Sequence, residues 1–155
     1  MSDLPSICAI EDDSFSSPYP RSLLQRLLQY CEDSFLVAAD RDGKLVGYCV
    51  CSIEGDFAHL ISIAVQGNHR RRGFATALLK RLIAQMAENG VNEVRLEVGV
   101  TNTEAISLYS KNGFERLETI SNYYSYSDGY DALRMRLVVH DETREYRTNN
   151  GGNLS

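Results

Sequence analysis

Between residues 57 and 100 the hydrophobic period of this chain changes twice, and that double change restricts the fold more than any other feature. FAHLISIAV (57–65) is an apolar run of strand length. After the loop QGNHRRRG, residues Ala75, Leu78, Leu79, Leu82, Ile83 and Met86 fall at i, i+3, i+4, i+7, i+8 and i+11, the stripe of an amphipathic helix. Asn89-Gly90 ends that helix by C-cap chemistry, and EVRLEVGV (93–100) returns to period two. Strands joined through a helix run parallel, as neighbours or near-neighbours with a right-handed crossover. Any fold for this chain must contain that unit.

The flanking segments complete an order. Pro5 opens a helical segment with Ile7 and Ile10 on one side, and Pro20 opens a second with Leu23, Leu24, Leu27, Leu28 and Cys31 at helix spacing; a loop, Ser14 to Pro20, lies between. Runs at 34–40, 44–53 and 57–65, separated by Asp42-Gly43 and Gly55-Asp56, read as an antiparallel meander. Downstream, a short helix from Asn102 to Asn112 stops at Gly113, followed by strands at 114–120 and 131–139 with a Tyr-rich loop between them. The expectation is an α/β protein with a mixed sheet in the order ααβββαβαββ, one domain over 1–139 and a polar tail over 140–155.

Charge narrows the partners. With 16 Lys and Arg against 21 Asp and Glu the net charge is -5, which argues against charge-driven binding to nucleic acid or an anionic membrane surface. Cys8, Cys31, Cys49 and Cys51 form no C-x-x-C pair and read as free cytosolic thiols. A zinc site at Cys49 and Cys51 would need two further ligands from elsewhere, so no metal is expected. MSDLPSICAIEDDSF has no basic n-region, and no segment approaches ~18 continuous apolar residues. The chain reads as cytoplasmic, a monomer or weak dimer.

The strongest local chemistry is the junction Ile63-Ala64-Val65, then His69-Arg70-Arg71-Arg72-Gly73-Phe74-Ala75. A strand that passes through a Gly-containing loop into a helix start offers free backbone N–H groups at the positive end of the helix dipole, a cradle for a pyrophosphate. Three arginines and a histidine concentrate positive charge there in an otherwise acidic chain. Taken alone, the run is equally a solvated face. G-K-[ST] and G-x-G-x-x-G are both absent, which argues against a Walker-type ATP loop and a dinucleotide fold.

Arg70-x-x-Gly73-x-Ala75 after an apolar strand resembles the acetyl-CoA motif of the GNAT N-acetyltransferases, and the element order matches the GNAT acyl-CoA N-acyltransferase fold. LEVGVTNTEAISLYSKNGFE (96–115) and NYYSYSDGYDALRM (122–135) resemble the RimI-type and archaeal N-terminal acetyltransferases within it, over about residues 3 to 139. The resemblance implies acetyl-CoA as donor, a protein or peptide N-terminus as acceptor, a ribosomal protein among the options, and direct attack in a ternary complex. It further implies that Ile63, Ala64 and Val65 meet the pantetheine arm, that Arg70, Arg71, Arg72, Gly73, Phe74, Ala75 and Thr76 surround the pyrophosphate, and that Asn102 and Tyr109 bind the cofactor. Members of the family carry a strand before the first helix; here that first edge strand is missing or reduced, since Asp3 already stands at the helix.

Glu97 and Arg95 alternate with Val94, Leu96 and Val98, so one face of this strand is apolar and the other carries two charges. Read from spacing alone, the pair is an ion pair on a solvated face or a catalytic carboxylate; the resemblance implies that Glu97 is the general base. It implies a second role, as base or water-positioning partner, for His59, where a structural histidine is the plain alternative. Tyr109 is implied as general acid to the departing thiolate, against a core aromatic beside Ile106. Tyr123, Tyr124, Tyr126 and Tyr130 suit a substrate-gripping loop of rigid rings with polar tips. Phe15 and Tyr19, in the front loop to Pro20, resemble the peptide side of the family's site, with Glu11 near them. Two other activities remain open: a GNAT enzyme for lysine side chains or a small amine, and a non-catalytic acetyl-CoA-binding module.

Overall fold

In the computed structural model of the chain the described residues are 3–124 and 130–139, without the side chains of Asn122, Tyr124 and Tyr130. Readings at Tyr126, at the ring of Tyr130 and at the tail over 140–155 lie outside them. Two helices come first, α1 (Leu4–Ser14) and α2 (Arg21–Tyr30), then β1 (Phe35–Ala39), β2 (Leu45–Glu54) and β3 (Phe57–Val65). They are followed by α3 (Phe74–Glu88), β4 (Glu93–Gly99), α4 (Thr103–Lys111), β5 (Glu115–Tyr124) and β6 (Tyr130–Val138). The order ααβββαβαββ is therefore present. Among the described residues no strand precedes α1, and β1 forms one edge of the six-stranded sheet β1-β2-β3-β4-β6-β5.

The caps explain where helices begin and end. Pro5 lies in the first turn of α1, where a missing N–H costs nothing, and Pro20 is the extended N-cap of α2. Gly90 and Gly113, both at positive φ, turn the chain after α3 and α4. β1 and β2 pair antiparallel, as do β2 and β3, the meander read from the turn residues. One boundary differs: the segment read as a Tyr-rich loop after residue 120 continues as strand to Tyr124, because β5 pairs with β6 as far as Tyr124 opposite Tyr130, with an irregularity after Ile120.

The parallel contact predicted across α3 exists but is short. Phe57, Ala58 and His59 pair with Glu93, Val94 and Arg95, and no further pairs follow. β3 stays on β2 as far as Val65 opposite Gly47, while β4 stays on β6 from Glu93 to Gly99. The two strands therefore part after His59, and the sheet opens into a V at its centre.

Two cores lie on opposite faces. Cys49, Cys51, Ala58, Leu60, Val94 and Leu96 pack with Leu79, Leu82 and Met86 of α3 and with Tyr109 of α4. Tyr48, Val50 and Ala64 pack with Leu4, Ile7 and Ile10 of α1 and Leu24 of α2. Leu60 and Ala64 share parity yet face different cores. Val50 pairs with Ser62 and Cys51 with Leu60, so Ile61 is the extra residue of a β-bulge that reverses which residues of β3 face α1. Gly47 admits close packing there, since a Cβ would stand 3.1 Å from the Ala64 carbonyl and 3.3 Å from Leu78.

Candidate active site

The V opens into a cleft of about 680 Å³ bounded by the end of β3, the end of β4, the start of α3 and one face of α4, within the size range of small-molecule sites. Ile63, Ala64 and Val65 line one side and Glu97, Val98 and Gly99 the other, with Phe74, Ala75, Thr76, Asn102 and Tyr109 closing it. Of the residues read as cofactor-binding, all but Arg72 line this cleft.

Local chemistry makes its end an anion site. Gly73 is the N-cap of α3 at φ 85°, with no side chain capping the helix. The first helical bond runs from the Ala77 N–H to the Gly73 carbonyl, at 3.0 Å. The amides of Phe74, Ala75 and Thr76 precede it, so they are the orphan donors of the helix start, at the positive end of its dipole. Arg71 also holds a positive φ, 62°, which turns the backbone around this point. Arg70 lines the cleft and also binds the protein itself: its Nε donates to the Val65 carbonyl at 2.9 Å and its Nη2 to Ser14 Oγ at 3.3 Å. It braces the strand end against α1. Asn102 caps α4 with Oδ1, accepting from the Ala105 N–H at 3.2 Å, so its oxygen is committed to the helix while the residue still lines the cleft.

Where the strands part, Glu97 and His59 meet. Glu97 Oε2 lies 2.6 Å from His59 Nε2, with the carboxylate side chain 13% exposed and the imidazole 32%. The other carboxylate oxygen accepts from Arg134 Nε at 3.3 Å, and Arg134 continues to Glu118 on β5. His59, Glu97, Arg134 and Glu118 thus form a row across β3, β4, β6 and β5. The simple Arg95–Glu97 pair does not form; Arg95 binds Glu93 and lies 4.0 Å over the Phe57 ring. Tyr109 is buried, its ring 5.7 Å from Phe114, and it lines the cleft.

Phe15, Tyr19 and Tyr123 are exposed aromatics, and the phenols of Tyr19 and Tyr123 lie near this carboxylate. Burial raises the pKa of the Tyr19 phenol, and the negative fields of Glu11, Tyr123 and Glu97 add to it. Burial likewise raises Tyr123, with Glu97 adding and Arg134 opposing. Both phenols therefore stand in the field of Glu97. The backbone of Tyr124 ends β5, and its ring lies outside the described side chains. Arg134 and Ser14 escaped the sequence reading. The signal for Arg134 was present as a charge at a period-two outward position of DALRMRLVV, opposite Glu97 only once the β4–β6 register is known.

Among the described residues no helix is long and apolar enough to cross a membrane, and no group of three His, Cys, Asp or Glu side chains clusters as metal ligands. Residues 4–114 match the model of the Acetyltransferase (GNAT) family. The chain is 36% identical over 148 residues to the N-alpha-acetyltransferase of Sulfurisphaera tokodaii, covering 87% of each protein. It is 31% identical over 143 residues to the [ribosomal protein bS18]-alanine N-acetyltransferase of Escherichia coli K12, covering 88% of this chain and 92% of that one. The crystal structure of Ard1 from Thermoplasma volcanium superposes with a TM-score of 0.84 at 32% identity, over 90% of this chain and 93% of that one.

Proposed function

This chain belongs to the GNAT family of acetyltransferases, and from that premise we propose that it transfers the acetyl group of acetyl-CoA to the α-amino group of protein N-termini in the cytoplasm, nascent chains or a ribosomal protein. The observation that carries the reading is the position of Glu97, which lines the cofactor cleft where β3 and β4 part, bonded to His59 and bordered by exposed aromatic rings. Relatives named for N-alpha acetylation, at 36% and 31% identity over most of the chain, support the acceptor class.

The residues fit the donor. The α3 amides and the guanidinium of Arg71 suit a pyrophosphate, with Arg72 beside them. Beyond His59 the edge of β3 is not paired with β4, and such an edge offers N–H and C=O groups to an extended amide-bearing arm. Acetyl-CoA supplies the acetyl group as a reactive thioester. The chain's own side chains handle protons: Glu97, held by His59 and Arg134, takes the proton of the acceptor ammonium or amine, and Tyr109 gives its phenolic proton to the departing sulfur.

The acceptor class fits a carboxylate of this kind. An α-amino group titrates near ~7.7 to 8.0 and a lysine near ~10.4, so removing the lysine proton costs about 3.4 kcal/mol more at neutral pH. An enzyme with a carboxylate base thus works more readily on N-termini. The test is to incubate the protein with acetyl-CoA and peptides that differ in their first residue and all contain an internal lysine, then locate the acetyl group by tandem mass spectrometry. Acetyl on the α-amine is expected; acetyl only on lysine, or none, overturns the reading.

A further inference from the structure

Glu11 is a carboxylate that the chemistry above does not use, and it is 2% exposed. It sits in the last turn of α1, next to Ile10 and Ile7 of the α1-side core. A leucine would pack there without desolvating a charge; the carboxylate is held by specific donors instead. Its Oε1 accepts from the Tyr19 N–H at 2.9 Å, and its Oε2 accepts from the Tyr48 hydroxyl. The Tyr48 oxygen also lies 3.1 Å from Ser62 Oγ, beside the bulge at Ile61.

These contacts join the loop over residues 15–20 to the sheet. Phe15 and Tyr19, at the two ends of that loop, are both exposed, and the Tyr19 phenol lies in the fields of Glu11 and Glu97. The near end of the loop is tied separately, by Ser14 to Arg70 and by Asp13 Oδ2, which accepts from the Gly67 N–H at 2.8 Å. An exposed six-residue segment pinned at both ends loses less freedom when it closes on a peptide, and reduced ordering cost appears as affinity.

We propose that Glu11 is a positioning residue for the acceptor: through the Tyr19 amide on one oxygen and Tyr48 on the other, it fixes the loop over 15–20 so that its rings frame the approach to Glu97. The proposal rests on the function proposed above. It separates Glu11 from the catalytic groups, because the carboxylate touches neither the cleft nor the reacting atoms.

Three variants test it: Glu11→Leu, Glu11→Gln, which keeps one acceptor oxygen, and Tyr48→Phe, which keeps Glu11 but removes its anchor. In Glu11→Leu the KM for the acceptor peptide rises about tenfold, while kcat and the KM for acetyl-CoA stay within about twofold; Glu11→Gln recovers to within about threefold, and Tyr48→Phe falls between. Amide hydrogen exchange over residues 15–20, measured with no substrate present, speeds up about tenfold in Glu11→Leu and is unchanged in β4. If Glu11→Leu does not fold, the other two variants carry the same comparison. An unchanged peptide KM, or a fall of kcat in step with both KM values and the melting temperature, overturns the proposal. A wild-type protein that acetylates no N-terminus defeats the proposed function alone, and the exchange measurement then still decides whether Glu11 anchors the loop.

Discussion

The two walls of the central cleft are made of different material. On the donor side the groups offered to a ligand are mainly main-chain amides of residues 74–76 and the open edge of β3, around a glycine at φ 85°. On the acceptor side they are side chains drawn from distant positions, His59 to Glu97 and Glu97 to Arg134, while the buried pair Glu11 and Tyr48 stands outside the cleft. A main-chain site tolerates most substitutions provided the backbone keeps its path, whereas a side-chain site changes with each residue. The donor wall therefore suits a ligand shared across a family, and the acceptor wall suits a specificity particular to one chain.

The first way to break this comparison is at the acceptor wall. Glu97→Gln keeps the shape and removes the base, and single-turnover measurements across pH 6 to 9 are expected to show a loss of ~100-fold or more, with acetyl-CoA affinity intact. An unchanged rate would remove Glu97 from the base role. Tyr109→Phe, a side chain within the donor half, is expected to lower kcat about tenfold or more with an unchanged melting temperature; normal turnover would reduce Tyr109 to packing against Phe114.

Main-chain construction makes two opposite predictions for one loop. Gly73→Ala meets no atom within 4 Å of the new Cβ, so its effect is purely the strain of positive φ. At about 1–2 kcal/mol that weakens acetyl-CoA binding roughly tenfold by calorimetry. Arg72→Ala removes a charge two residues before the helix yet leaves the backbone path alone, and the same titration is expected to change by no more than about threefold. If Arg72 mattered more than Gly73, the wall would be held by side chains after all.

The smallest effect is spectroscopic. Burial raises the pKa of Tyr48, Tyr19 and Tyr123, and neighbouring carboxylates add to it, so in the native state these phenols stay neutral to higher pH. Phenolate absorbance of the folded protein should lag behind that of the denatured chain above pH ~10. Coincident titrations would contradict the buried placement of Tyr48 and the crowding of Tyr19 and Tyr123 around Glu97.

The same contrast explains what could be read from residues alone. The donor wall was legible because its parts are local: the strand ending at Val65, the Arg/Gly loop and the stripe from Ala75 to Met86 occupy one continuous stretch. The partners of Glu97 were not, since Arg134 joins it only through the β4–β6 register and Arg95 turns instead to Glu93 and Phe57. The bulge at Ile61 left no mark in FAHLISIAV, whose alternation looks regular although Leu60 and Ala64 face different cores. Arg70 and Asn102 line the cleft, while Nε of Arg70 and Oδ1 of Asn102 serve the protein's own backbone and helix cap, a choice settled by geometry. Tyr123 was read into a loop because tyrosine density marks binding surfaces and strands alike.

Only three residue pairs tie β3 to β4, so the sheet consists of two leaves sharing a single short hinge, with α3 packed beneath both. A molecule lodged in the opening would meet both leaves, since residues of β3 and β4 line it. Occupancy and resistance to unfolding are then linked, because a ligand that binds only the folded state raises stability by RT ln(1 + [L]/Kd). On the function proposed above, the melting temperature is therefore expected to climb with acetyl-CoA concentration.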